Sequence, residues 1–159
     1  MHIVTGAAGF IGSNLVAHLN KQGHDDVLLV DNLSMDKTKN IAGLIFEDLI
    51  SPNELLDMHI DKSDTVWHIG ANSSTKETDW QKIYTSNVVY TRQLLEKCNT
   101  MVFASSASVY GDNTTTQEHP VNESPKNLYA SSKLICDNIF RNTIGCKVQS
   151  WRFFNVYGN

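Results

Sequence analysis

The chain has 159 residues, with 13 basic and 17 acidic side chains and a net charge of −4. That length suits one domain with a single core and leaves no room for a second. No basic run offers a footprint for a phosphate backbone and no apolar run reaches membrane-spanning length, so neither nucleic acid nor a membrane is an expected partner.

The three cysteines, Cys98, Cys136 and Cys146, form no C-x-x-C pair, and Cys98 and Cys136 fall in helical patterns where a small buried hydrophobe is the plain role. With no leader-like N-terminus, the expected setting is a reducing cytoplasm.

In chain order, His2-Ile3-Val4-Thr5 predicts a strand and Phe10 to Gln22 a helix, with Gly6, Gly9 and Gly12 at the turn between them. Gly6 permits the tight turn, Gly9 lets the backbone approach a phosphate, and Gly12 lets helix and strand pack closely. The free N–H groups of the helix start then face the anion. Asp26 to Asp31 predicts the second strand. Asp31 lies 19 residues beyond Gly12, where a carboxylate accepts hydrogen bonds from an adenosine ribose.

Further strands are predicted at Leu44 to Glu47, Thr65 to Ile69, Met101 to Ser105 and Lys147 to Phe153, and further helices at Pro52 to Ile60, Trp80 to Cys98 and Pro125 to Ile144. Gly111 to Ser124, rich in Thr, Asn and Asp, predicts a surface loop, and Ser124-Pro125 a helix start. Strand and helix alternate throughout. The expected fold is α/β: a Rossmann-type, three-layer, doubly wound parallel sheet of about six strands in order 3-2-1-4-5-6.

Tyr129 and Lys133 stand at i and i+4 on one helix face. A phenol titrates near ~10, and bringing it toward neutrality costs roughly 4 kcal/mol. One positive charge about 4 Å away at an effective dielectric near 20 supplies a similar amount. Tyr129 can thus act as a base beside Lys133, although such pairs also arise by simple packing. Ser106, off the end of the fifth strand, is placed to orient a reacting hydroxyl, or else serves as an ordinary turn serine. The six histidines show no metal-ligand spacing, and no metal is expected. Trp67, Trp80 and Trp151 are expected to pack the sheet and its helices.

Thr5 to Gly12, Asp31-Asn32-Leu33, Ser105 to Gly111, Tyr129-x-x-x-Lys133 and Arg152 to Gly158 together resemble the extended short-chain dehydrogenase/reductases, which include the nucleotide-sugar epimerases and dehydratases. Asp31-Asn32-Leu33, Gly70 to Glu77 and Asn127 to Lys133 resemble the heptose-epimerase branch most. The resemblance covers the whole chain.

It implies that Gly6, Gly9, Phe10, Ile11 and Gly12 surround a pyrophosphate, Asp31 and Asn32 an adenosine ribose, and Asp48 and Leu49 the adenine. Gly70, Ala71 and Asn72 would line the cofactor, and Asn87 would hold the nicotinamide side. Tyr129 would be the base, Lys133 its partner and a ribose ligand, and Ser106, Ser73 and Asn155 would meet the substrate. The implied cofactor is NADP or NAD: Asp31 repels a 2′-phosphate, whereas Lys39 is placed to attract one unless Lys37 and Lys39 are merely solvated charges.

The implied partners are a nucleotide-diphosphate sugar and, through an unpaired sheet edge, a further copy of the chain. Dehydratases carry an acidic pair where this chain has Ala107 and Ser108, which points to epimerisation. Members of the family continue into a substrate domain, so the chain is expected to be the N-terminal part of a longer protein. A reductase and a non-catalytic dinucleotide-binding module stand as alternatives.

Overall fold

The computed structural model describes residues 1–114 and 117–158. Its strands are β1 (His2–Thr5), β2 (Val27–Val30), β3 (Asp48–Ile50), β4 (Thr65–His68), β5 (Thr100–Ser106) and β6 (Lys147–Phe153). They form one sheet in the order β3-β2-β1-β4-β5-β6, and every pairing is parallel. This is the expected Rossmann-type arrangement.

The helices are α1 (Phe10–Lys21), α2 (Met35–Ile41), α3 (Pro52–Asp57), α4 (Trp80–Ile83), α5 (Tyr90–Leu95) and α6 (Leu128–Arg141), with a π-helical segment, Tyr84–Val89, joining α4 to α5. Side-chain alternation along β1 sends Ile3 to one face of the sheet and Val4 to the other. Ile3 joins Leu28, Val66, Phe103, Leu55, Leu94 and Cys136 in one apolar cluster. Val4 joins Leu29, Val16, Leu19 and Ile41 in a second. The helices thus cover both faces, and β2, buried at all four residues, reads as the unbroken apolar run such a position requires.

Three local expectations are corrected. The third strand is Asp48–Ile50, not Leu44 to Glu47. Asn20 explains this, because its side chain takes both backbone groups of Ile45, donating to the carbonyl and accepting from the N–H at 2.9 Å each. Leu44 and Phe46 then pack on the second cluster instead of pairing. Helix α2 has no counterpart among the predicted elements; its seven residues carry one buried side chain, Ile41, too little for a periodic signal.

Helix α6 begins at Leu128 rather than Pro125, capped by Asn127, whose side chain accepts from Ala130 N at 2.8 Å. Ser124 is occupied elsewhere, its N–H donating to Val109 O at 2.9 Å. By contrast α3 starts as its sequence suggests, with Ser51 and Glu54 forming a capping box around Pro52. The expected loop after Gly111 is exposed over most of its described residues and contains a short 3₁₀ turn, Pro120–Asn122. Thr115 and Thr116 of that loop lie outside the described residues.

No helix of the described chain is long and apolar enough to cross a membrane. Trp67 packs on the second cluster as expected, but Trp151 projects from β6 with 59% of its surface exposed.

Candidate active site

A cleft of about 950 Å³ opens at the carboxyl ends of the strands, the place where open α/β sheets hold ligands. Its floor is the glycine turn. Gly6 has φ +67°, and a Cβ there would stand 2.7 Å from Gly70 Cα; a Cβ on Gly12 would stand 2.1 Å from Gly6 O. These two glycines are demanded by backbone meeting backbone. Gly9 differs, because its Cβ would meet only Gly6 O at 3.1 Å. The cleft therefore gains backbone access at Gly9. No side chain caps α1 at Gly9, so the first-turn N–H groups beside Phe10 and Ile11 are available to an anion. The volume, the bare turn and the uncapped helix fit a dinucleotide.

Asp31, buried just beyond β2, accepts from Ala8 N at 3.0 Å and from Lys37 Nζ at 2.7 Å. It braces the turn and offers further lone pairs to hydroxyls. Asn32, Gly70, Ala71, Asn72 and Ser73 line the cleft as expected.

Three residues expected at the adenine end lie outside the lining of the cleft. Lys39 is exposed and stands outside the lining, where Lys37 is found instead. Asp48 and Leu49 also lie outside it: Leu49 packs on the second apolar cluster, and the Asp48 carboxylate accepts from Leu49 N. Asn53 and Leu56 of α3 and Tyr90 and Gln93 of α5 also line the cleft. Among the described residues the buried Tyr90 hydroxyl has no hydrogen-bond partner. Burial pushes its pKa up to about 12, so it stays neutral.

Helix α6 carries Tyr129 and Lys133 into the same cleft opposite Ser106. Lys133 is 2% exposed. Its Nζ donates to Ala104 O at 2.7 Å and lies 4.4 Å from the Phe103 ring centre and 5.9 Å from that of Tyr129. Burial lowers its pKa to about 8.

Burial raises the Tyr129 pKa, and the hydrogen bond with Ser106 offsets this only in part. The charge of Lys133 therefore does not by itself bring the phenol toward neutrality. The ammonium is spent on a backbone carbonyl and is itself weakened by desolvation. Ser106 is held in turn by Ser108, whose N–H and hydroxyl donate to it at 3.2 and 2.8 Å.

Asn87, expected on the nicotinamide side, is buried and lies outside the lining of the cleft. Its side chain accepts from Asn72 N at 2.8 Å and donates to Asn72 O at 3.0 Å and to Ser132 Oγ at 2.9 Å. It ties the β4 loop to α6. Asn155 is exposed and also outside the lining, which Phe153, Phe154 and Val156 supply.

Residue reading by motif missed His68. It is 1% exposed at the end of β4, hydrogen-bonded to Thr5 and Thr91. The available signal was a titratable group closing an apolar strand. The histidines are also less scattered than expected. At the opposite end of the sheet, His2, His24 and Asp26 bring ligand atoms within 4.8 Å of one another. Two of the three are engaged: His2 Nδ1 accepts from Trp67 Nε1 at 3.0 Å, and Asp26 pairs with the amino terminus at 3.3 Å.

A family model described as the NAD dependent epimerase/dehydratase family matches residues 2–159. The ADP-L-glycero-D-manno-heptose-6-epimerase of Alkalilimnicola ehrlichii is 40% identical over 99% of this chain and 53% of its own length. That of Brachyspira hyodysenteriae is 41% identical over 99% and 55%. The chain thus spans about half the length of these curated relatives. The crystal structure of the Helicobacter pylori enzyme of the same name superposes with a TM-score of 0.82 at 29% identity, over 99% of this chain and 56% of that one. The UDP-glucuronic acid 4-epimerase of Bacillus cereus, solved with UDP-glucuronic acid and NAD, gives 0.80 at 27%, over 99% and 58%.

Proposed function

Because the chain belongs to the NAD dependent epimerase/dehydratase family, we propose that residues 1–159 form the cofactor-binding domain of a nucleotide-sugar epimerase of the ADP-heptose 6-epimerase kind. One observation carries the reading: Tyr129, Ser106 and Lys133 face the same cleft as the Gly6–Gly12 turn. A redox cofactor and a proton-transferring phenol belong within one such space.

NAD, when bound, supplies the acceptor and donor of a hydride. The residues of the chain do the rest. Gly9, Phe10 and Ile11 hold the diphosphate, and Asp31 takes ribose hydroxyls. Lys133 holds the nicotinamide-side ribose, and its positive charge, joined by that of an oxidised nicotinamide ring, would favour the Tyr129 phenolate. Ser106 orients the sugar hydroxyl, and Tyr129 accepts its proton as the adjacent C–H is oxidised, then returns it once the ketone has been reduced on the other face. Ala107 and Ser108 offer no acid to expel a leaving group, which supports epimerisation over dehydration.

The Asp31 carboxylate and the NAD dependence in the description of the matched family favour NAD over NADP, against the charge of Lys37 in the lining. The partners in this reading are a nucleotide-diphosphate sugar and a second copy of the chain, and the setting is the cytoplasm.

The test is a pair of measurements. Calorimetry on the chain should show NAD binding that survives Tyr129→Phe. In a protein carrying this domain and turning over its sugar, Tyr129→Phe should lower kcat by at least about 100-fold. Retained turnover overturns the role of Tyr129. Cofactor binding without any sugar oxidation by the unsubstituted protein replaces the epimerase with a binding module, and net consumption of NADH replaces it with a reductase.

A further inference from the structure

A largely buried line of hydrogen bonds runs beneath the cleft from Gly70 and Thr5, the residue before the glycine turn, to the helix that bears Tyr129. Gly70 N donates to Thr5 Oγ1 at 3.0 Å, and Thr5 Oγ1 lies 2.6 Å from His68 Nδ1. His68 Nε2 lies 2.8 Å from Thr91 Oγ1, which donates to Asn87 O. Asn87 Nδ2 reaches Ser132 Oγ at 2.9 Å, and that hydroxyl donates to Tyr129 O at 2.7 Å.

Each hydroxyl has one proton to give, which assigns every direction. Thr91 spends its proton on Asn87 O, so it accepts from His68, and Nε2 carries the hydrogen. Nδ1 therefore holds a lone pair and accepts from Thr5. A single tautomer satisfies every contact, and all donors along the line point one way, an arrangement in which neighbouring bonds strengthen one another.

We infer that His68 is a positioning residue: fixed in its Nε2–H tautomer, it couples the glycine turn through Thr5 to the Tyr129 helix through Thr91 and Asn87, and so sets how the two ends of the cofactor site stand relative to each other. The inference rests on the cofactor-binding reading above. Its surroundings keep the imidazole neutral. Lys133 is the charged group facing it, and the rings of Tyr90 and Phe103 lie 5.7 and 5.6 Å away. Burial first, then Lys133, lowers its pKa to about 3.

Nuclear magnetic resonance of the chain labelled with ¹⁵N at histidine is expected to show His68 as the Nε2–H tautomer, unchanged from about pH 5 to pH 8. The other tautomer, or titration in that range, overturns the proposal. Two substitutions then divide the line. His68→Asn sets an amide oxygen where Nδ1 stood, keeping an acceptor for Thr5 and losing the donor to Thr91. His68→Gln sets an amide NH₂ where Nε2 stood, with the reverse result.

ADP reports on the glycine turn and the Asp31 end of the site, whereas NAD reports on the Tyr129 end as well. His68→Asn should leave ADP affinity within about twofold and weaken NAD about tenfold, and His68→Gln should weaken both about tenfold. The same pattern in both variants, or no change in either, overturns the proposal, since loss of general packing would not separate the two probes. Wild-type chain that binds neither nucleotide sinks the cofactor reading instead, and the tautomer then decides the inference about His68.

Discussion

Strands β2 and β6 belong to one parallel sheet and are held in it by different physics. All four residues of β2 are buried, and the turn beside it admits no extra atom at Gly6 or Gly12. β6 pairs with β5 along seven residues, from Thr100↔Lys147 to Ser106↔Phe153, yet only Val148, Arg152 and Phe153 are even half-buried. Trp151, Phe154 and Tyr157 in and beyond it are 59%, 74% and 92% exposed.

What packing does for β2, charge does for β6. Arg152 donates to Asp137 at 3.0 Å and pairs with Glu123, which also pairs with Arg141. Asp137 further accepts from Ser105 at 3.0 Å and Ser150 at 2.7 Å. Sterically closed and electrostatically fastened regions respond to different insults.

The sharpest break comes at the closed end. Gly12→Ala drives a Cβ to 2.1 Å from Gly6 O. It should cost roughly 3 kcal/mol or more in thermal unfolding, and NAD affinity should fall by more than about 100-fold in calorimetry.

The fastened end should fail by acid. Burial tends to raise the Glu123 carboxyl, but hydrogen bonds from Arg141 and Arg152 outweigh it and leave the pKa below its ordinary value of 4.5. A depressed folded-state pKa contributes stability that is complete above the unfolded value and is lost as pH falls through the folded one. Glu123→Gln should therefore cost about 2 kcal/mol at pH 7, and the gap from wild type should close below pH ~4.5. Hydrogen exchange along β6 would report it, and a gap that persists at low pH would show packing to be in control there as well.

Asp31→Asn tests whether charge matters at the closed end too. It removes the ion pair with Lys37 while keeping an acceptor for Ala8 N, and should weaken NAD about tenfold with little change in melting temperature. The smallest effect belongs to the exposed edge. Trp151→Ser should shift stability by less than about 0.5 kcal/mol and reduce self-association seen by light scattering.

The same contrast explains what could be read without coordinates. Gly6, Gly9, Gly12 and Asp31 are legible because a tight turn and a trailing carboxylate need those residue types at that spacing, Tyr129 and Lys133 because a phenol and an ammonium stand one turn apart on a helix, and Ser106 because it ends the fifth strand. Strand order follows from the alternation of apolar runs with helices. The third strand begins at Asp48 rather than Leu44 because Asn20, 25 residues before Ile45, ties up the backbone of that segment. Lys39 and Lys37 differ only in how α2 is turned, and that helix is too polar to announce its rotation. The direction of the Tyr129 shift depends on where the Lys133 ammonium ends, which i, i+4 spacing leaves open.

The π-helical segment Tyr84–Val89 has a geometric consequence. At 3.6 residues per α-helical turn, one residue subtends about 100°, so the wider coil acts as a phase offset between α4 and α5. Removing a single residue from it would restore the α-helical angle and swing Trp80 to Ile83 around the axis relative to Asn87. The Asp79 cap on Lys82 N is local to α4 and would turn with it, so the Asn87 bridge between Asn72 and Ser132 would have to yield. A one-residue deletion here should thus act as a rotation, detectable as loss of the bridge in a chain that keeps its length of helix.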